Sequence, residues 1–239
     1  MASIWGKLGG AGIGFAVGGP IGALIGALAG HYVMDQEGGL FTPDKQTVFT
    51  TGLVALSAKM AKADGVVTRD ETRAFFEVVQ VQEADRSRIL KLFELANQTT
   101  AGYQAYARQI AELFADDAQL REDVVDGLFH IAKADGAVHE AELAYLHDIA
   151  LILGFGEPDW LRLKARHVRE PDDPYVVLGA QRDWDEAALR RLYRRLVQEY
   201  HPDRQIARGL PEEAVAIATS KLAAINEAWE RIRRERGWS

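Results

Sequence analysis

Apolar residues recur at intervals of three and four positions over most of the chain, which is the spacing of amphipathic helices. We expect a first long helix capped by Asp44, followed by helices at 69–82, 84–97, 100–115, 118–134, 139–153 and 157–168. Turn residues such as Asp-Gly and Gly-Phe-Gly separate these segments, and no alternating apolar–polar run is long enough to predict a strand. The sequence therefore predicts an all-α protein.

The N-terminal stretch is uncharged and rich in glycine. No charged residue occurs over the 23 positions from Leu8 to Gly30. A helix of that length spans roughly 34 Å, which is enough to cross the hydrocarbon core of a bilayer. Glycines at every fourth position would form a ridge that lets another helix pack closely: Gly10, Gly14, Gly18, Gly22, Gly26 and Gly30.

We therefore expect residues 1–34 to form a transmembrane anchor. A cleaved signal peptide or a flexible glycine-rich leader is the alternative. The flanking charges, Lys7 and Lys45, are balanced and do not set an orientation in the membrane.

Residues 44–168 are predicted to form a helical bundle with an internal duplication. The segment from Ala61 to Glu71 returns 71 positions later as the segment from Ala132 to Glu142. In both copies a helix ends at Asp-Gly, and the next helix starts with acidic residues that suit its positive end.

The duplicated acidic turns allow two interpretations. The carboxylates concerned are those of Asp64, Glu71, Asp135 and Glu142. They would either bind a divalent cation or serve only to cap helices and shape turns. An EF-hand is excluded, because its loop positions one and three would be Met60 and Lys62 in the first copy. Apart from this possible cation we expect no cofactor.

Residues 172–239 form a C-terminal module behind a short, proline-flanked joint. Apolar residues of its first long helix lie on one stripe: Leu189, Leu192, Tyr193, Leu196 and Tyr200. Arginines lie on the opposite face: Arg190, Arg191, Arg194 and Arg195. The helix must end at the His201-Pro202-Asp203 turn because of the proline, and we expect a loop from there to Leu210. A last helix begins at Pro211, with an apolar face at Val215, Ala218, Leu222, Ile225, Trp229 and Ile232. The module is therefore predicted to be a helical hairpin.

Charge and composition narrow the function. The module holds twelve basic and twelve acidic residues, so the net charge of −7 belongs to the preceding part, which argues against a nucleic-acid partner. The chain has no cysteine, which excludes disulfides, thiol catalysis and cysteine-based zinc sites. We find no nucleophile–base pair, phosphate-binding loop or cofactor motif, and therefore expect that the chain is not an enzyme. The arginine face would bind an acidic protein partner, bind nucleic acid, or simply be an exposed face in contact with water. His201 and Asp203 lack a third ligand for a metal.

The run from Tyr193 to Arg204 and the later Ile225-Asn226-Glu227-Ala228-Trp229-Glu230 closely resemble the J-domain of DnaJ-type co-chaperones. The resemblance implies docking on a DnaK-type chaperone ATPase and stimulation of ATP hydrolysis by that partner, with Asp203 essential for coupling. The partner-binding residues it implies are His201, Pro202, Asp203, Arg190, Arg191, Arg194, Arg195 and Arg204. Leu222 replaces the aromatic residue that is usual in the third helix of that family.

The duplicated bundle resembles the TerB-like domain. The whole order, with Trp5-Gly6-Lys7, Gly30-His31 and the segment from Ala207 to Pro211, resembles a family of membrane-anchored DnaJ-like co-chaperones. This resemblance implies a bacterial inner-membrane protein with a single span and both folded domains in the cytoplasm. It also implies self-association, as a homodimer, through the glycine-ridged span. The alternative function is a TerB-like metal- or stress-responsive binding protein with an auxiliary J-domain.

Overall fold

The computed structural model describes residues 18–26, 45–63, 75–76, 83–98, 102–133, 138–168 and 173–238. Every regular element within these ranges is a helix, which confirms the predicted all-α fold. The named helices are α1 (Lys45–Ala63), α2 (Glu83–Gln98), α3 (Tyr103–Leu113), α4 (Ala118–Ala132), α5 (Glu140–Ile152), α6 (Glu157–His167), α7 (Pro174–Leu178), α8 (Glu186–Glu199), α9 (Pro202–Ala207) and α10 (Glu212–Arg236).

Helix α1 is the centre of the bundle. It packs against α2, α3, α4 and α5, and Phe49, Leu53 and Leu56 are fully buried. An apolar helix of this kind needs neighbours on several sides, and the shorter amphipathic helices supply them. The predicted cap at Asp44, most of the helix predicted at 69–82 and both Asp-Gly turns lie outside the described residues.

A short helical segment at 18–26 also packs on the bundle. Ile21, Leu24 and Ile25 join its hydrophobic core, and the Ile21 N–H donates to Gln109 Oε1 at 2.8 Å. Within the predicted glycine ridge, Gly22 is buried and Gly18 and Gly26 are half-buried, while Gly10, Gly14 and Gly30 lie outside the described residues. In the part of the chain that the structure describes, no helix is both long and apolar enough to cross a membrane.

The C-terminal module consists of α7 to α10 around a second core. Helix α7 ends at Gly179, whose φ of 70° suits glycine. Asp185 caps α8, because its side chain accepts a hydrogen bond from the Ala188 N–H at 2.6 Å. The predicted apolar stripe of α8 packs on Ile225, Trp229 and Ile232 of α10. The hairpin is present as predicted.

The predicted loop from His201 to Leu210 was wrong for residues 202–207, which form α9. Proline ends a preceding helix but favours the first position of a new one, because its φ is already helical and its missing N–H needs no partner there. Pro202 therefore closes α8 and starts α9 within two residues.

Helix α10 belongs to both cores. Its 25 residues span about 37 Å at about 1.5 Å per residue. Ala214 and Ile217 lie in the bundle core, whereas Ile225 and Trp229 lie in the core of the module. The predicted apolar face is therefore only partly correct: Val215 and Leu222 are half-buried, because the first half of α10 turns its Ala214 side toward the bundle.

Candidate partner-docking site

The His201-Pro202-Asp203 turn lies at the surface, where α8 ends and α9 begins. The Asp203 N–H donates to His201 Nδ1 at 3.3 Å, so the histidine caps α9. The side chain of His201 is 50% exposed and that of Asp203 is 86% exposed. The turn therefore presents a carboxylate to solvent from a short, well-defined backbone.

The predicted arginines lie on α8, which leads into the turn, and on α9, which leaves it. Arg191, Arg194, Arg195 and Arg204 are exposed, whereas Arg190 is half-exposed and forms a salt bridge to Glu186 at 2.6 Å. An exposed basic face attracts an acidic surface over a distance of about 10 Å, and salt weakens that attraction. The predicted turn and basic face thus occur side by side on one exposed helical corner.

A buried ion cluster joins the module to the bundle, and its residues are not among the predicted site residues. Lys221 of α10 inserts between three carboxylates of α4. Its Nζ lies 2.7 Å from Asp123 Oδ1, 2.8 Å from Asp126 Oδ2 and 3.2 Å from Glu122 Oε1. All four side chains are buried, so the cluster replaces their hydration with direct contacts.

Helix α6 supplies the remaining partners of the cluster. Arg162 donates two hydrogen bonds to Glu122, at 3.0 and 2.8 Å. Arg166 Nη1 lies 2.7 Å from Glu122 Oε1 and 3.2 Å from Asp126 Oδ2, and His167 Nε2 lies 2.6 Å from Asp126 Oδ1. Three cations and one imidazole therefore face three carboxylates.

The surroundings shift the pKa values of these groups in different directions. Burial alone would raise the pKa of Glu122 and Asp126, but Lys221 and the arginines outweigh it and hold both values below the ordinary range. Burial raises the pKa of Asp123 to about 6 despite the attraction of Lys221. Burial also lowers the pKa of His167, against the pull of Asp126. Glu122 and Asp126 also contact Arg166, whereas the salt bridge of Asp123 is to Lys221, so the charge of Asp123 depends most on this lysine.

The cluster reaches the residue just before the exposed turn. The Tyr200 hydroxyl donates to Glu122 Oε1 at 3.3 Å, and Lys221 Nζ lies 4.4 Å from the centre of the Tyr200 ring. Bundle and turn are therefore in direct contact through Tyr200.

The sequence contained one signal for this cluster. Lys221 lies four residues from both Ile217 and Ile225, on the stripe of α10 that is otherwise apolar. A lysine in such a position is buried only when it is paired, which predicts an acidic partner without identifying it.

The predicted cation ligands are only partly described. Glu142 Oε2 accepts a hydrogen bond from the His139 N–H at 2.8 Å and so caps α5, as the alternative interpretation expected. Asp64, Glu71 and Asp135 lie outside the described residues. Among the side chains that the structure places, no group of three or more histidines or carboxylates is arranged to hold a metal ion.

Family models match almost the whole chain. Residues 1–43 match the co-chaperone DjlA transmembrane domain, residues 50–165 match the tellurite resistance protein TerB, and residues 173–236 match the DnaJ domain. No solved structure matches the chain.

Curated relatives match over their full length. The co-chaperone protein DjlA of Photobacterium profundum is 29% identical, over 98% of this chain and 100% of its own. The DjlA proteins of Coxiella burnetii and Shewanella oneidensis are 29% and 28% identical, over 97% and 98% of both chains. These matches support the predicted order of anchor, TerB-like bundle and J-domain.

Proposed function

Because the chain belongs to the DjlA family of co-chaperones, we propose that it docks on a DnaK-type chaperone ATPase and stimulates ATP hydrolysis by that partner. It is a DnaJ-type co-chaperone, and the chemical step takes place in the partner. The DnaJ domain at residues 173–236 supplies the docking corner.

The observation that carries the proposal is the exposed Asp203 carboxylate beside the basic face of α8. Arg191, Arg194 and Arg195 provide long-range attraction, which sets encounter and orientation. Among the residues that the structure describes, no lysine or arginine forms a salt bridge to Asp203, and its carboxylate lies 3.7 Å from His201 Nδ1. Its carboxylate is therefore available to a cationic or hydrogen-bonding group of the partner.

The experiment is a steady-state ATPase titration of a DnaK-type chaperone with full-length wild type and Asp203→Asn. We expect the substitution to abolish most of the stimulation at saturating concentration. The melting temperature should not change, because the side chain is exposed and outside both cores. Stimulation that survives the substitution in full would contradict this role of Asp203.

We further propose that the chain is anchored in the bacterial inner membrane by its N-terminal span, with both folded domains in the cytoplasm. The match of residues 1–43 to the DjlA transmembrane domain supports anchoring. In cell fractionation, the full-length protein should remain with membranes after alkaline washing. Deletion of residues 1–17, which spares the segment packed on the bundle core, should release it. In spheroplasts, external protease should leave both domains intact.

The glycine ridge supports a proposal of self-association in the membrane. Crosslinking in membranes should give a dimer with wild type and less of it with Gly14→Leu. An equal yield from both proteins would contradict pairing through the ridge.

A further inference from the structure

Gln119, on the first turn of α4, contacts the chain on both sides of the exposed turn. Its Nε2 donates to the carbonyl of Glu199 at 3.1 Å, two residues before His201. Its Oε1 accepts from Arg208 Nη1 at 3.0 Å, just after α9. One side chain of the bundle thus joins the segment that enters the turn to the segment that leaves it.

A second glutamine completes a closed ring of hydrogen bonds. The Gln205 side chain is fully buried, and its Nε2 donates to the same Glu199 carbonyl at 3.1 Å. Its Oε1 accepts from Arg208 Nη1 at 3.0 Å. Arg208 also donates to the Asp117 carboxylate, which itself caps α4 by accepting from Leu120 N–H. The ring therefore ties the turn to the end of a bundle helix that has its own fixed geometry.

The ion cluster restrains the turn from a second direction. The Tyr200 hydroxyl contacts Glu122, and the ring of Tyr200 is covered by Lys221. The backbone at residues 199 and 200 is therefore held from two sides, whereas Asp203 itself projects into solvent. The direction of its carboxylate follows from the backbone around it, because no side chain of the bundle contacts it in the described structure.

We propose that Gln119 is a positioning residue for Asp203, so that the TerB-like bundle sets the coupling efficiency of the J-domain. This inference rests on the proposed function. It also gives a role to Arg208, which belongs to the Ala207–Pro211 segment noted in the sequence. Gln119 lies on the bundle and forms no contact with the exposed arginines of α8, so it affects the coupling step and leaves docking unchanged.

The test compares full-length wild type, Gln119→Ala, Gln181→Ala and Asp203→Asn in the same ATPase titration. Alanine is a good helix former, so Gln119→Ala keeps α4 intact while it removes both hydrogen bonds. Gln181 is an exposed glutamine of the α7–α8 loop and serves as the matched control. We expect Gln119→Ala to lower the maximal stimulated rate about fivefold or more, since about fivefold is the smallest effect expected from losing two ordinary hydrogen bonds. The concentration that gives half-maximal stimulation should not change.

Hydrogen–deuterium exchange supplies a readout that does not depend on the partner. The amides of residues 199–204 should exchange faster in Gln119→Ala than in wild type or Gln181→Ala. A maximal rate equal to that of the wild type, or unchanged exchange at these amides, overturns the inference. A higher half-saturating concentration with an unchanged maximal rate also overturns it. If wild type itself gives no stimulation that depends on Asp203, the proposed function fails instead, and the exchange measurement still decides whether Gln119 orders the turn.

Discussion

Removal of the buried cation at Lys221 should destabilise the whole protein, because Asp123 would lose the one salt-bridge partner that it has among the described residues. The Lys221 side chain is 1% exposed and lies 2.7 Å from Asp123 Oδ1. Removing one partner of a buried ion pair costs about 3–5 kcal/mol. Glu122 and Asp126 keep Arg166, so we expect Lys221→Met to fall near the lower limit, at about 3 kcal/mol. That cost is a large fraction of the total stability of an ordinary domain.

The assay is urea unfolding of the full-length protein in mild detergent, followed by far-ultraviolet circular dichroism. Lys221→Met/Asp123→Leu should recover about 2 kcal/mol relative to Lys221→Met, because no buried carboxylate is left unpaired. Lys91→Met replaces an exposed lysine of α2 and should change stability by less than about 0.5 kcal/mol. A cost below about 1 kcal/mol for Lys221→Met, or strictly additive effects in the double variant, would refute the reasoning.

The ion cluster, the contact between α4 and α10 at Gly127, and the basic face of α8 give three further predictions. The pKa of Asp123 is raised from 3.8 to about 6 in the folded protein, so protonation of this carboxyl favours the folded state. The resulting stabilisation is fully present below pH 3.8 and is lost as the pH rises through about 6. When the pH is lowered from 7 to 5, the free energy of unfolding of the wild type should rise by about 1 kcal/mol relative to that of Asp123→Asn, as measured in thermal melts. A stability difference between the two proteins that does not change with pH would contradict the raised pKa. Gly127 of α4 faces Ile217 of α10, and even a Cβ at this position would lie 2.9 Å from Ile217 Cδ1. Gly127→Leu should therefore lower the free energy of unfolding by about 2 kcal/mol or more in the same melts, and a stability equal to that of the wild type would show that α10 does not pack on α4 at this position. Arg194→Ala/Arg195→Ala should raise the half-saturating concentration in the ATPase titration and weaken its salt dependence, and an unchanged salt dependence would exclude these arginines from docking.

The C-terminal hairpin was predictable because its determinants are local. The apolar stripe of α8 and the proline at 202 lie within a few residues of the structure that they specify, and the structure agrees with both. The helical course of α9 also has a local cause, because Pro202 both ends α8 and occupies the first position of a new helix.

The contact between the two domains was not predictable, because it joins residues far apart in the chain. Lys221 and Asp123 are 98 positions apart, and Gln119 and Arg208 are 89 apart. A helix pattern shows which side chains share a face, but it does not show which helices meet. Glu122, Asp123 and Asp126 are buried among the apolar residues of α4 only because Lys221, Arg162 and Arg166 compensate their charges.

The measurement that tests the central claim most directly is single-turnover hydrolysis of ATP by a DnaK-type chaperone mixed with this protein. A single turnover isolates the hydrolysis step from product release. We predict that wild type accelerates this step severalfold. With Asp203→Asn at the same concentration, the rate should equal that of the chaperone without any co-chaperone. Equal acceleration by both proteins, or none by wild type, would contradict the account.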